Sequence, residues 1–344
     1  MAYTTIDDPA QYFNTVLYTG NGVNSTDSQS ITGVGFQPDW VWIKNRDTTN
    51  WHILSDSVRG GNKVLYTNRT DDERSDVDWY LQTFDSDGFT VGYSGDTNGN
   101  GNSLASWNWK AGGSASSNSD GSVTSSVSAN TTAGFSIVSY TGDGGTDTAG
   151  HGLGAVPQIV IVKERSEAQS WYMYNHNLGN NKIIELNTTS ASYTDNTWNS
   201  TTPTSSVFTV GNNNVNENTQ TYIAYCFAEK KGYSKFGGYT GNGNANGTFI
   251  YTGFKPAWIM IRGSNAATHW TIYDNKRDTS NTTTQNLRAN ASDAELTDHD
   301  IDMLSNGFKH RGTGSAGNGS YNYIYMAFAE SPFVNSNGVP TNAR

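Results

Sequence analysis

The residues able to do chemistry are few, and their spacing argues mostly against catalysis. The acidic run Asp71-Asp72-Glu73 and the pair Asp7-Asp8 are the carboxylates that could act as acid and base. Glycoside hydrolysis, for example, needs two carboxyl groups held a defined distance apart across the scissile bond. Neither run has a second carboxylate that the sequence places opposite it, so a solvated surface is expected for both. "FDSDGF" at residues 84–89 opens like a calcium loop, but residue 96 is Asp where a bidentate Glu is needed, and the intervening pattern fails. A hairpin turn is expected there instead. The histidines His52, His151, His176, His269, His299 and His310 form no HxH or HExxH spacing, and the single Cys226 lies in the alternating run "YIAYCF" as a small core residue. There is no GxSxG elbow, P-loop or dinucleotide fingerprint. No catalytic, metal-binding or cofactor-binding residue is therefore assigned, and an enzyme is not expected.

Aromatic side chains offer a different chemistry, the flat faces on which sugars stack. Trp40 and Trp42, and Trp107 and Trp109, are two apart, so each pair shares one face of a strand. Turned outward they would form a platform; turned inward they are core. The matching runs keep apolar residues (Ile159, Ile161; Trp258, Met260), which favours core. Trp79 and Trp198 lack such counterparts and fall in loop-like stretches, so they are the candidate exposed ligand contacts.

The elements that position these residues come from internal repetition. "TVLYTGNG", "GFQPDWVWIKNR" and "LASWNWKAGG" have counterparts in "SIVSYTGDG", "GLGAVPQIVIVKER" and "YIAYCFAEKKG", and again in "FGGYTGNG", "GFKPAWIMIRG" and "YIYMAFAESPF". Pro38, Pro157 and Pro256 are separated by 119 and 99 residues, Phe89, Phe208 and Phe308 by 119 and 100, and Trp51, Trp171 and Trp270 by 120 and 99. After each proline stands a four-residue apolar run ending at Lys44, Lys163 or Arg262, too short for a helix and suited to a strand buried on both faces. Asn-Gly and Asp-Gly pairs supply the turns. Only residues 71–81 and 292–304 look weakly helical. Repeats of this length predict an all-β chain of three tandem jelly-roll-like, lectin-like β-sandwiches. The expected limits are residues 1–113, 132–232 and 233–333, with a Ser/Asn/Thr-rich linker over 114–131 and a tail over 334–344.

Composition narrows the function classes. The chain has 344 residues, a net charge of −10 and only 15% charged residues, with 37 Gly, 10 Trp, 19 Tyr and 13 Phe. The acidic balance argues against nucleic acid, which needs a concentrated positive footprint. No run approaches the ~18 apolar residues of a membrane span. Residues 1–8 show no secretory signal, and one cysteine cannot build an internal disulfide framework.

The opening "TTIDDPAQYFNTVLYTGNG", the motifs "GFQPDWVWIKNR", "TAGFSIVSYTG" and "GHGLGAVPQIVIVKER", and the ending "YIYMAFAESPFVNSNGVPTNAR" resemble a largely uncharacterised family of virion structural proteins from tailed bacteriophages of marine bacteria. The resemblance spans essentially the whole chain and supplies no catalytic residues. It implies a virion protein assembled in the bacterial host cytoplasm, with other virion proteins of the tail or capsid as partners and a homo-oligomeric, trimeric state. The leading expectation is a non-enzymatic, tail- or fibre-associated adhesion protein that binds host-surface glycan. A head decoration or cement protein that stabilises the capsid is the alternative, and a glycan-degrading enzyme ranks last.

Overall fold

The alternating and apolar runs become strands of antiparallel sheets, and one arrangement of them recurs three times along the chain. The protein is described from a computed structural model that covers residues 2–75 and 77–341. In the first segment a five-stranded inner sheet has the order Phe13–Thr19, Ser103–Trp109, Trp40–Asn45, Ile53–Asp56, Leu65–Tyr66. The third repeats it with Ser234–Thr240, Asn322–Pro332, Phe254–Gly263, Thr271–Asp274 and Leu287–Arg288. The second has the same five, Phe135–Thr141, Thr221–Phe227, Ile159–Glu164, Trp171–Asn175 and Lys182–Glu185, and is extended at both edges. A smaller outer sheet of two or three strands accompanies each inner sheet, including Gln29–Thr32 with Gly88–Val91, Asp147–Gly150 with Val207–Val210, and Phe249–Tyr251 with Gly307–His310.

Both faces of each inner sheet are covered. One face packs under its own outer sheet, as where Val41, Ile43 and Leu104 meet Ile31 and Phe89. The other face enters a single apolar core shared by all three segments, containing Trp40, Trp42, Trp107 and Trp109 of the first, Phe135, Ile159, Trp171 and Phe227 of the second, and Phe236, Trp258, Trp270 and Phe328 of the third. That double burial explains why all six residues of Trp40–Asn45 and of Ile159–Glu164 are buried. The equivalent positions Trp109, Phe227 and Phe328 converge: Phe328 lies 5.5 Å from Trp109 and 6.0 Å from Phe227, ring centre to ring centre. Such tilted and edge-on contacts are the favoured geometries for aromatic rings. The three inner sheets thus surround a pseudo-threefold axis, and the paired tryptophans face inward to it.

Three expectations are corrected. The stretch 114–131 is not a linker: Ser116–Asn118 and Ser125–Asn130 add two strands to the second inner sheet, with Val127 paired to Val138. Serine and asparagine on an edge strand satisfy the ladder as well as any residue, and composition alone does not distinguish that from a flexible tether. Residues 71–81 and 292–304 contain no helix among the described residues; the short helical turns are Pro9–Gln11, Gly95–Asn98 and Asn213–Asn216. Finally, register shows that His52, not Trp51, is equivalent to Trp171 and Trp270. Asp56, Asn175 and Asp274 pair with Trp40, Ile159 and Trp258, and the backbone N–H groups of His52, Trp171 and Trp270 donate to Asn68, Asn187 and Asn290.

Candidate functional site

Of the two tryptophans singled out as exposed contacts, Trp198 is 2% exposed. Its ring stands edge-on to Tyr174 at 6.0 Å inside the second segment's outer core, which removes it as a ligand contact. Trp79 is half-buried against the first outer core and beside Tyr80 and Tyr93. The acidic run is only in part the solvated surface expected: Asp72 is exposed and Asp71 pairs with the half-exposed Arg69. The side chain of Glu73 is turned into a junction between segments, where its carboxylate takes two hydrogen bonds of 2.9 Å from Arg165 and one of 3.2 Å from Arg59. Asp7 accepts from Ser336, and Asp8 caps the turn at Ala10. In "FDSDGF", Asp87 accepts from the N–H groups of Gly33 and Gly35, and Asp85 from the hydroxyls of Thr83 and Thr90, within a hairpin.

The repeated motif Tyr-Thr-Gly-Asn/Asp-Gly builds one loop three times. Asn98, Asn216 and Asn318, all buried, each accept from the backbone N–H of Asn21, Asp143 and Asn242 respectively, and each returns a side-chain N–H to the same residue's oxygen. Tyr18, Tyr140 and Tyr239 donate to the carbonyl immediately preceding that asparagine, at 2.6, 2.7 and 2.7 Å. The first glycine of the motif is obligatory, since a Cβ on Gly20, Gly142 or Gly241 would sit 2.1–2.3 Å from a backbone oxygen.

Three junctions, or seams, close the ring of segments with matching backbone contacts. Glu73 N–H donates to Arg165 C=O across the first–second seam, Ser192 to Ser264 across the second–third, and Glu295 to Arg46 across the third–first. Indole N–H groups cross likewise, Trp171 to Tyr66 C=O and Trp270 to Glu185 C=O, both 2.9 Å, and His52 faces the equivalent Arg288 carbonyl. Two seams carry buried ion-pair networks. At the first–second seam Arg59 pairs with Asp56 and Glu73, and Tyr225 donates to Asp56 at 2.7 Å. At the third–first seam Arg277 pairs with Asp274 and Glu295, Arg46 pairs with Glu295, and Trp107 donates to Asp274. Such pairs cost desolvation and are valuable chiefly when every charge is matched, as here.

On the inward face of their strands, two residues beyond Trp42 and Ile161, lie Lys44 and Lys163, whose ammonium groups donate at 2.6 Å to the carbonyls of Asn45 and Glu164. Burial pulls both down to about 8. Arg262, at the equivalent position, instead reaches across the second–third seam to the carbonyls of Thr188 and Ser190, and burial lowers it to about 10.

Besides the extra edge strands of the second sheet, the surface departs from this threefold pattern at one outer strand of the third segment. On the outward face of the edge strand Phe249–Tyr251, Phe249 is 43% and Tyr251 54% exposed. Register aligns these positions with Ser30 and Thr32 in the first segment and Thr148 and Gly150 in the second. The Phe249 ring lies over Gly307, where any Cβ would stand 3.0 Å from it. Tyr3 extends the patch: its hydroxyl donates to Gly253 C=O at 2.7 Å and lies 3.3 Å from the Tyr251 hydroxyl, with the Lys231 ammonium 4.4 Å from its ring. Repetition points to what the segments share and passes over this pair; alignment of "GTFIYTG" with the Ser/Thr-bearing strands marks it.

No curated protein and no solved structure significantly matches the chain. A family described as a domain of unknown function (DUF7483) matches residues 8–332. That match takes in all three segments and every seam, and the chain belongs to this DUF7483 family.

Proposed function

We propose that this chain is a non-enzymatic bacteriophage virion protein, exposed on the particle exterior, whose three jelly-roll-like units present surface to host-cell glycan. The observation that carries this reading is the exposed pair Phe249 and Tyr251, set two apart on a strand whose equivalents are Ser, Thr and Gly. An exposed aromatic pair on a rigid sheet offers area at little entropic cost, and contiguous exposed apolar surface marks interaction sites. The sequence resemblance to phage virion proteins supports the setting. Affinity per domain is expected to be about millimolar, with avidity on the assembled particle supplying the strength.

The test is glycan-array binding by the chain and by Phe249→Ser/Tyr251→Thr, which installs the first segment's residues. Binding that the double variant loses, at unchanged thermal stability, supports the reading; no glycan binding by the unaltered chain overturns it. Head decoration is a second reading, favoured by seams locked with buried ion pairs, which make a rigid block and not a fibrous shaft. Immunolabelling of virions separates the two, with label on the tail or on the head.

A further inference from the structure

The second–third seam keeps the backbone contacts of the other two, and the cation Arg262 where they have lysines, but none of their ion-pair residues. Leu178 stands where Arg59 and Arg277 do, Asn175 where Asp56 and Asp274 do, Ser192 where Glu73 and Glu295 do, and Ser264 where Arg165 and Arg46 do. Gly238 occupies the place of Leu17 and Ser139 on the neighbouring strand. Five positions that fill the seam elsewhere are thus neutral, and mostly small, at this one. What remains is a groove of about 410 Å³ between the second and third segments. That lies within the ~300–1,000 Å³ typical of small-molecule sites.

The lining has its own chemistry. In a chain of net charge −10, no acidic residue lines this groove, and Lys182 is its one cation. Lys182 has no carboxylate partner among the described residues. Asn265 uses its Oδ1 to accept from Asn322 N–H, and Asn322 uses its own Oδ1 to accept from the Thr240 hydroxyl, which leaves both Nδ2 groups as donors. Ser192 and Ser264 complete a wall of short polar groups. One cation and two amide donors on an acid-free wall suit an acceptor-rich, singly anionic ligand, and charge-assisted hydrogen bonds to a carboxylate are the strong ones.

We propose that this groove is a saccharide subsite that takes an acidic sugar, with its carboxylate at Lys182 and its hydroxyls on Asn265 and Asn322. The proposal rests on the glycan-binding reading above and places a second contact away from the Phe249–Tyr251 strand.

The experiment is a titration of ¹⁵N-labelled full chain with a glucuronate-containing disaccharide and with its neutral glucose counterpart. Amide shifts are followed at Asn177, Ser192, Ser264 and Asn265, and at Phe249 and Tyr251. The expected result is saturable shifts at the groove, stronger for the acidic sugar. Ser192→Glu/Ser264→Arg copies the ion pair of the other seams into the groove and should abolish those shifts. Lys182→Gln, a milder change that leaves the seam intact, should weaken the acidic sugar about tenfold and leave the neutral one unchanged. Shifts confined to Phe249 and Tyr251 would overturn the groove while sparing the glycan reading. Shifts at neither place would overturn both, and groove shifts that survive Ser192→Glu/Ser264→Arg would overturn the subsite.

Discussion

Trp107 donates its indole N–H to the carboxylate of Asp274 at 2.9 Å, across 167 residues of chain. The same carboxylate holds the buried Arg277. One aspartate thereby joins the first segment to the third and neutralises a guanidinium with no access to water. The equivalent aspartate, Asp56, does the same for Tyr225 and Arg59 at the next seam.

Removal of that charge should be costly. Asp274→Asn is expected to destabilise the chain by about 3 kcal/mol, since it strands Arg277 without its nearest counter-charge. Asn175→Asp, which creates a buried carboxylate where Leu178 replaces the arginine, should destabilise as well. Denaturant unfolding of both variants checks this; an unchanged midpoint for Asp274→Asn would show that Glu295 alone satisfies Arg277.

The pair Trp42 and His52 occupies the space that Ile161 and Trp171, or Met260 and Trp270, fill in the other segments, and Trp42 donates to His52 Nδ1 at 3.0 Å. The large ring has changed sides. Trp42→Ile alone should leave a cavity and His52→Trp alone should overpack, each at about 2 kcal/mol or more. The double variant should recover at least about 1 kcal/mol of the summed loss, measured as a double-mutant cycle.

Asn318 makes side-chain hydrogen bonds to Asn242, Asn244 and Gly312 while almost wholly buried. Asn318→Ala is expected to lower stability by about 2 kcal/mol. It should also release the amides of Asn242 and Gly243 to fast hydrogen exchange, with exchange in the equivalent loops at Asn21 and Asp143 unaffected.

Acid should unfold the protein earlier than its carboxylates require. Burial holds His52 well below the usual range and His310, bonded to the Tyr239 hydroxyl, down to about 3. From pH 6.5 down to 5 the unfolded chain takes up protons at these histidines that the native chain refuses, so stability falls as pH falls. The slope is about 1.4 kcal/mol per pH unit for each histidine. His310→Gln should flatten it by one proton, read from denaturant midpoints at pH 7 and 5. On the alkaline side Lys44 and Lys163 act in the same direction: above about 8 the native chain has shed protons that the unfolded chain keeps until about 10.5, so their contribution rises with pH.

Much of the local structure was legible because it is written in short-range pattern. The apolar runs after Pro38, Pro157 and Pro256 are strands, although Pro256 lies at a bulge inside a longer strand, where a missing N–H is harmless. The inward face of Trp40, Trp42, Trp107 and Trp109 followed from spacing and from the apolar residues at matching positions. Residue type alone equates Trp51 with Trp171; the true equivalence of His52 emerges only from strand register. Trp198 looked exposed because its neighbours are turn formers, yet packing against Tyr174 buries it.

The sequence by itself determined the all-β class, the threefold repetition and the Asn-Gly and Asp-Gly turns, because those depend on periods of two and on glycines and asparagines with local roles. Only the tertiary structure decided that the three segments share one core and that Glu73, a residue in a polar run, is an interior ion-pair partner of Arg165. It alone shows that the second–third seam stands open and that Phe249 and Tyr251 stand out from their equivalents. The physical reason is closure of the ring: contacts such as Arg46 with Glu295 join residues 249 apart, and no local pattern encodes which distant side chain will supply the missing charge.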